Sequence, residues 1–198
     1  MRTYLSPEEV QQIIAVAENL QERLILRLLW ATGIRVSELV ALTADSIDPH
    51  KDVLTIRHLK SQEGRYRQVP VLAAVAAELR EYIKTTGIKG RVFPYHRQWI
   101  YDVVKQVAER AGFSGRCILN PDTNRRHFVS PHKLRDALGV AWLKKRGDMQ
   151  GQKTAQVMLG HKNFNTTARY FKLGMTEVQE MYQTVFGDEG KPEHTPSG

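Results

Sequence analysis

Val10, Ile13, Ile14 and Ala17 recur at the three-and-four spacing that puts side chains on one helix face. Ahead of them, "SPEEV" offers Ser6 as N-cap, Pro7 at the first helical position and Glu9 three residues after the cap, a capping-box pattern. A second apolar helix is predicted over about Gln21 to Thr32 ("QERLILRLLWAT"), stopped by Gly33, and a short one over about Val36 to Leu42. The period then falls to two: "VLTIRHL" and "RYRQVPV" flank the polar "KSQEG", which predicts a hairpin with Gly64 in its turn. Helical spacing returns in "LAAVAAELREYIK", ending before Gly87, and again from Gln98 to Arg110. Residues 112–130 are rich in Gly, Pro and Asn and read as a long loop or a small hairpin. Ser130-Pro131 opens a helix to about Lys145, and further helices fit 152–159, 164–172 and 176–186. The pattern therefore predicts one mostly helical domain with a small β-hairpin (α+β) over residues 1–187, followed by a frayed tail over 188–198.

Composition narrows the class. The chain of 198 residues is long enough for one domain with a sizeable core. It has no run of eighteen apolar residues, and "MRTYLSPEEV" lacks the apolar core of a signal peptide. Its one cysteine, Cys117, excludes an internal disulfide and a Cys-rich zinc site, so the expectation is a cytoplasmic protein without a membrane partner. Lys and Arg number 29 against 21 Asp and Glu, a net charge of +8. A surplus of that size suits a nucleic acid, whose phosphates release counterions when neutralised, although a basic soluble enzyme also fits.

Three short segments carry candidate chemistry. In "ATGIRVSELVAL", Arg35 stands at the start of a helix, with Glu38 three residues on to steady it. In "SPHKLRDALGVAWL", His132 and Arg135 are three apart and share a face, while Leu134, Leu138 and Ala141 can face the core. On the exposed side of a first turn such a pair suits a phosphate. In "LGHKNFNTTARY", His161 follows Gly160 in a turn, and Tyr170 lies in the next helix beside Arg169. Taken singly, each has a plainer reading: a surface Arg-Glu pair, a solvated helix face, and a half-buried tyrosine with a turn histidine.

Taken together, "TGIRVSEL", "SPHKLRD" and "LGHKNFNTTARY" resemble, in order, the Arg motif, the His-x-x-Arg motif and the Leu-Gly-His-to-Tyr segment of the tyrosine recombinases, the phage-integrase family. The likeness covers about residues 5–186 and implies that family's catalytic-domain fold. It also implies a basic residue on the hairpin turn, for which Lys60 stands in place and Arg65 is a rival. The implied reaction is attack of the Tyr170 hydroxyl on a phosphodiester of double-stranded DNA, giving a 3′-phosphotyrosyl link and a free 5′-hydroxyl. Arg35, Arg135 and His161 would hold the non-bridging oxygens, Lys60 would protonate the leaving oxygen, and His132 would help move the proton off Tyr170.

The phosphotyrosyl link keeps the energy of the broken bond, so rejoining needs no ATP. Consistently, the sequence has no G-x-x-x-x-G-K-[ST] loop and no metal-ligand spacing, and neither cofactor nor metal is expected. Asp136 stands where the family often has His and could orient a catalytic side chain. Only "MRTYL" precedes the first helix, so the reading has no helical DNA-clamping domain at its N-terminus. A homo-oligomer, tetrameric on DNA, is implied. The helix at 176–186 could dock on a neighbouring protomer or pack on its own core. A type IB topoisomerase activity and a non-catalytic DNA-binding regulator of the same fold stay as alternatives.

Overall fold

The computed structural model describes residues 4–57, 66–113, 118–119, 126–145, 156 and 159. The described chain is mostly helical, with one small hairpin and a second, minimal strand pair. The helices are α1 (Pro7–Ala15), α2 (Leu20–Thr32), α3 (Val36–Leu39), α4 (Ala73–Thr86), α5 (Arg97–Arg110) and α6 (Pro131–Lys145). The hairpin strands are β1 (Val53–Arg57) and β2 (Tyr66–Pro70), antiparallel with Leu54 opposite Val69 and Ile56 opposite Arg67.

The capping signals act as the sequence implies. Ser6 accepts from the Glu9 amide while Glu9 accepts from the Ser6 amide, so two orphan donors at the start of α1 are satisfied reciprocally. Gly33 and Gly87 end α2 and α4 in the left-handed conformation, at φ 58° and 65°.

Helix α2 organises the domain. Leu24, Ile25, Leu26, Leu28 and Leu29 are fully buried, too many sides of one helix to be a surface stripe. It packs against α1, α3, α4, α5 and α6. Its few polar residues tie down the neighbours: Arg27 reaches Glu78 of α4 at 2.6 Å, and Gln21 Nε2 donates to the hydroxyls of Tyr82 and Tyr95 at 3.0 and 3.2 Å. Helix α6 is likewise covered on several sides, with Leu134, Ala137, Leu138, Val140 and Leu143 all buried.

One expectation changes. The helix predicted over Val36–Leu42 stops at Leu39. The chain beyond it goes extended to pair with 90–92, where Val92 N donates to Leu42 O at 2.8 Å and Ala44 N to Gly90 O at 3.0 Å. Of the two readings of 112–130, the small hairpin is the one found: Ile118–Leu119 (β3) pair antiparallel with Arg126–His127 (β4). The helices expected over 164–172 and 176–186 lie outside the described residues, as does most of 152–159, of which Gln156 and Leu159 are helical.

Gly33 serves a close approach as well as a turn. A Cβ there would come within 2.7 Å of Leu159 Cδ2 and 3.0 Å of Leu138 Cδ2. Gly33→Ala should therefore cost about 2–4 kcal/mol, combining left-handed backbone strain with overpacking. Gly87→Ala has the same backbone sign but nothing within 4 Å, and should cost only about 1–2 kcal/mol. Urea unfolding of the two variants checks the difference; equal losses would remove the packing part of the argument.

Candidate active site

Arg35 occupies the N-cap position of α3, because Gly33 turns the chain out of α2 and residue 35 begins the next helix. Glu38, three residues on, receives the Arg35 amide at 2.8 Å and Arg35 Nη1 at 3.1 Å. Glu38 is buried, 4% exposed, and is also gripped from β2: Arg67 Nη1 meets its Oε1 at 2.7 Å and Arg67 Nη2 its Oε2 at 2.9 Å. Burial alone would push the Glu38 carboxyl up. The Arg67 hydrogen bonds, the Arg35 amide and the two guanidinium charges outweigh it and hold the carboxyl at about 2, against an ordinary 4.5. Two guanidiniums share one carboxylate here, so the network retains a surplus of positive charge.

That depression has a sign. The folded state holds the ionised carboxylate more tightly than the unfolded chain, so its contribution is complete above about pH 4.5 and is lost as pH falls towards 2. Its size is about 3 kcal/mol. The stability gap between the wild-type chain and Glu38→Gln, read from urea midpoints, should close over that window; a gap unchanged from pH 5 to pH 2.5 would contradict it.

Arg135 departs from expectation. It was expected on the exposed side of the first turn of α6, yet it is 3% exposed. The reason is the packing around it: its Nη1 donates to the Gly33 carbonyl and its Nη2 to the Leu159 carbonyl. One planar fork thus joins the end of α2, the start of α6 and the residue just before Gly160-His161. His132, one turn earlier, is exposed, and its Nε2 lies 3.6 Å from Asp136 Oδ1. Asp136 also meets Lys133 Nζ at 3.3 Å, so the carboxylate has two neighbours in its own helix, an imidazole and an ammonium.

These elements meet in one open cleft of about 340 Å³, lined by Arg35, His132 and Arg135 among others. Arg97 and Tyr101, which the sequence reading did not single out, line it too. They are four apart on α5 and share one side of it, beside the buried stripe of Ile100, Val103, Val104 and Val107, and that spacing was the available signal. Among the described residues no acid lines the cleft, and Arg97 makes no ion pair. Three guanidiniums converge there from separate parts of the chain, an arrangement suited to an anion. Lys60, its rival Arg65, His161 and Tyr170 lie outside the described residues.

The profile of the phage integrase family matches residues 3–177. The chain belongs to the phage integrase family. Among curated members, the tyrosine recombinase XerA of Pyrococcus horikoshii is 28% identical over 202 residues, covering 92% of this chain and 63% of that protein. The fold of this integrase-family chain is that of tyrosine recombinase catalytic domains. The crystal structure of XerA recombinase superposes with a TM-score of 0.74 at 22% identity, covering 97% of this chain and 66% of that one. The catalytic domain of bacteriophage HP1 integrase matches end to end, 100% of each chain, with a TM-score of 0.62 and 20% identity. The chain spans under two thirds of the length of the XerA relative. No helix among the described residues is long and apolar enough to cross a membrane, and no group of three or more potential metal ligands occurs among them.

Proposed function

We propose that residues 1–187 are the catalytic domain of a site-specific DNA recombinase that cuts and rejoins duplex strands through a transient 3′-phosphotyrosyl link. The observation that carries this reading is the acid-free cleft into which Arg35 and Arg135 converge beside His132. A phosphodiester approaching pentacoordination gathers negative charge on its non-bridging oxygens. Preorganised guanidiniums stabilise that charge without reorganising at the moment of reaction.

In the proposed step the Tyr170 oxygen bonds to phosphorus and the bond from phosphorus to the 5′-oxygen breaks. The phenolic proton leaves by way of His132, and Lys60 protonates the departing oxygen. Arg35, Arg135 and His161 hold the oxygens that do not move. The phenol's ordinary pKa of about 10 makes proton removal part of the barrier at neutral pH, which is why an imidazole nearby matters. Rejoining reverses the step with a 5′-hydroxyl of another strand as nucleophile. The electrostatic work falls to the guanidiniums, so the reading needs no metal or nucleotide. Double-stranded DNA is the proposed partner, with a homotetramer assembled on it in the cytoplasm or at the nucleoid. The chain's net charge of +8 supports the choice of partner.

The test uses a duplex nicked just beyond the cleavage point, so that the short 5′-hydroxyl strand diffuses away and the covalent complex accumulates. A band shifted by the protein's mass on a denaturing gel, released by protease as a 3′-linked peptide, is the expected result. Duplex binding without any adduct under these conditions would favour a regulator of the same fold. An adduct that relaxes supercoils without strand exchange would favour a topoisomerase.

A further inference from the structure

We infer that Arg67 on β2 is a positioning residue for strand cleavage: it clamps Glu38 and, through Glu38, fixes the guanidinium of Arg35 in the cleft. The inference rests on the recombinase reading and concerns a side chain which that reading does not use.

The geometry is that of a rigid coupling. Arg67 and Glu38 make two parallel contacts, Nη1 to Oε1 at 2.7 Å and Nη2 to Oε2 at 2.9 Å, with side chains only 11% and 4% exposed. A fork-to-fork pair fixes the carboxylate plane as well as its distance, which a single contact does not. The two oxygens so held are the two that Arg35 uses: Oε2 receives its amide at 2.8 Å and Oε1 its Nη1 at 3.1 Å. The position of Arg67 therefore sets where both the backbone and the head group of Arg35 sit.

The strand register shows why the contact is directed inward. Arg67 stands opposite Ile56 and two residues before Val69, and both are fully buried, so Arg67 occupies the core face of the hairpin. It is not a surface cation available to bind the DNA backbone, because both Nη atoms are spent on Glu38. Two charges in such a place are poor value as cement. A buried ion pair is commonly no more stabilising than apolar side chains of the same volume. What the pair supplies, and an apolar pair cannot, is a fixed direction for Arg35. It also ties Arg35 to β2, the strand that follows Lys60 in the sequence, and Lys60 is the residue to which the recombinase reading gives the leaving-group proton.

The test compares Arg67→Lys and Arg67→Met with the wild-type chain in three measurements: the single-turnover rate of adduct formation on saturating nicked duplex, the duplex dissociation constant, and the melting temperature. Arg67→Met should slow cleavage by roughly thirtyfold to a hundredfold, as a misplaced catalytic group does, while the dissociation constant changes by less than about threefold. Arg67→Lys keeps the charge but only one contact, and should fall between, about tenfold slow, with a melting temperature close to wild type. A loss that follows melting temperature alone, so that folded Arg67→Lys cleaves at the wild-type rate, overturns the inference even if Arg67→Met does not fold. So does a parallel loss of affinity and rate, which would make Arg67 a binding residue. If the wild-type chain itself forms no adduct, the recombinase reading fails and takes this one with it. If wild type forms the adduct and both variants match it, only the positioning role falls.

Discussion

Tyr170→Phe is expected to bind duplex DNA within about twofold of the wild-type chain and to form no covalent adduct on a nicked substrate. The substitution removes one oxygen and keeps the ring, so packing around residue 170 is preserved as far as an isosteric change allows. What it deletes is the atom that would bond to phosphorus. Loss of a nucleophile does not merely slow the step by a few kcal/mol; it removes the covalent path, and residual cleavage should be lower by at least about ten thousandfold. Affinity should hold, because it comes from the cationic cleft and the net positive charge rather than from a neutral phenol. The measurement is a denaturing gel beside a mobility shift on the same duplex. Should the adduct persist in Tyr170→Phe and vanish in Tyr101→Phe, the role would pass to the tyrosine that lines the cleft with Arg35 and Arg135.

The features that were legible in advance are those written in local chemistry. Ser6, Pro7 and Glu9 announce the start of α1, and Gly33 and Gly87 announce the ends of α2 and α4, because a cap or a left-handed residue depends on neighbours within four positions. The hairpin was legible from its alternation, and the convergence of Arg35, His132 and Arg135 from their motifs in combination.

Arg67 was hidden because a charged residue on a short strand reads as solvent-facing until its register is known. Only the pairing with Ile56 turns it inward to Glu38. Arg135 was legible as a candidate but not in its surroundings. A one-stripe reading of α6 leaves the Arg side wet, whereas Leu134, Ala137, Leu138, Val140 and Leu143 spread around the helix and require cover on several sides. Arg97 and Tyr101 enter the cleft through tertiary placement. The segment after α3 pairs with 90–92, and that pairing sets where the chain enters α5.

This difference between local and tertiary signals bears on mechanism. A guanidinium on an open surface is a charge; one held by fixed acceptors is an aimed group. Arg35 is aimed by a carboxylate that a second arginine immobilises, and Arg135 by two carbonyls from distant parts of the chain. Preorganisation of this kind lowers a barrier because the donors need not be turned towards the developing charge during the reaction.

Arg135→Lys follows from that logic and separates charge from aim. Lysine keeps one positive charge but presents a single ammonium in place of a planar fork with five donors. It can satisfy the Gly33 carbonyl or the Leu159 carbonyl, or turn to a phosphate, but it cannot span all three. We expect adduct formation to fall at least about a hundredfold, the cost of losing one oxyanion-type donor set, with duplex affinity reduced much less. Stability should drop as well, by about 1–3 kcal/mol, since one buried carbonyl is left without its donor. Arg135→Ala removes both donors and leaves a cavity between α2 and α6, so its loss should reach about 3–5 kcal/mol, with no better cleavage than the lysine variant. Rates on saturating duplex, measured well below each variant's melting temperature, keep the two effects apart. A lysine variant that cleaves at the wild-type rate would mean that charge alone suffices at position 135 and that its contacts to Gly33 and Leu159 serve the fold only.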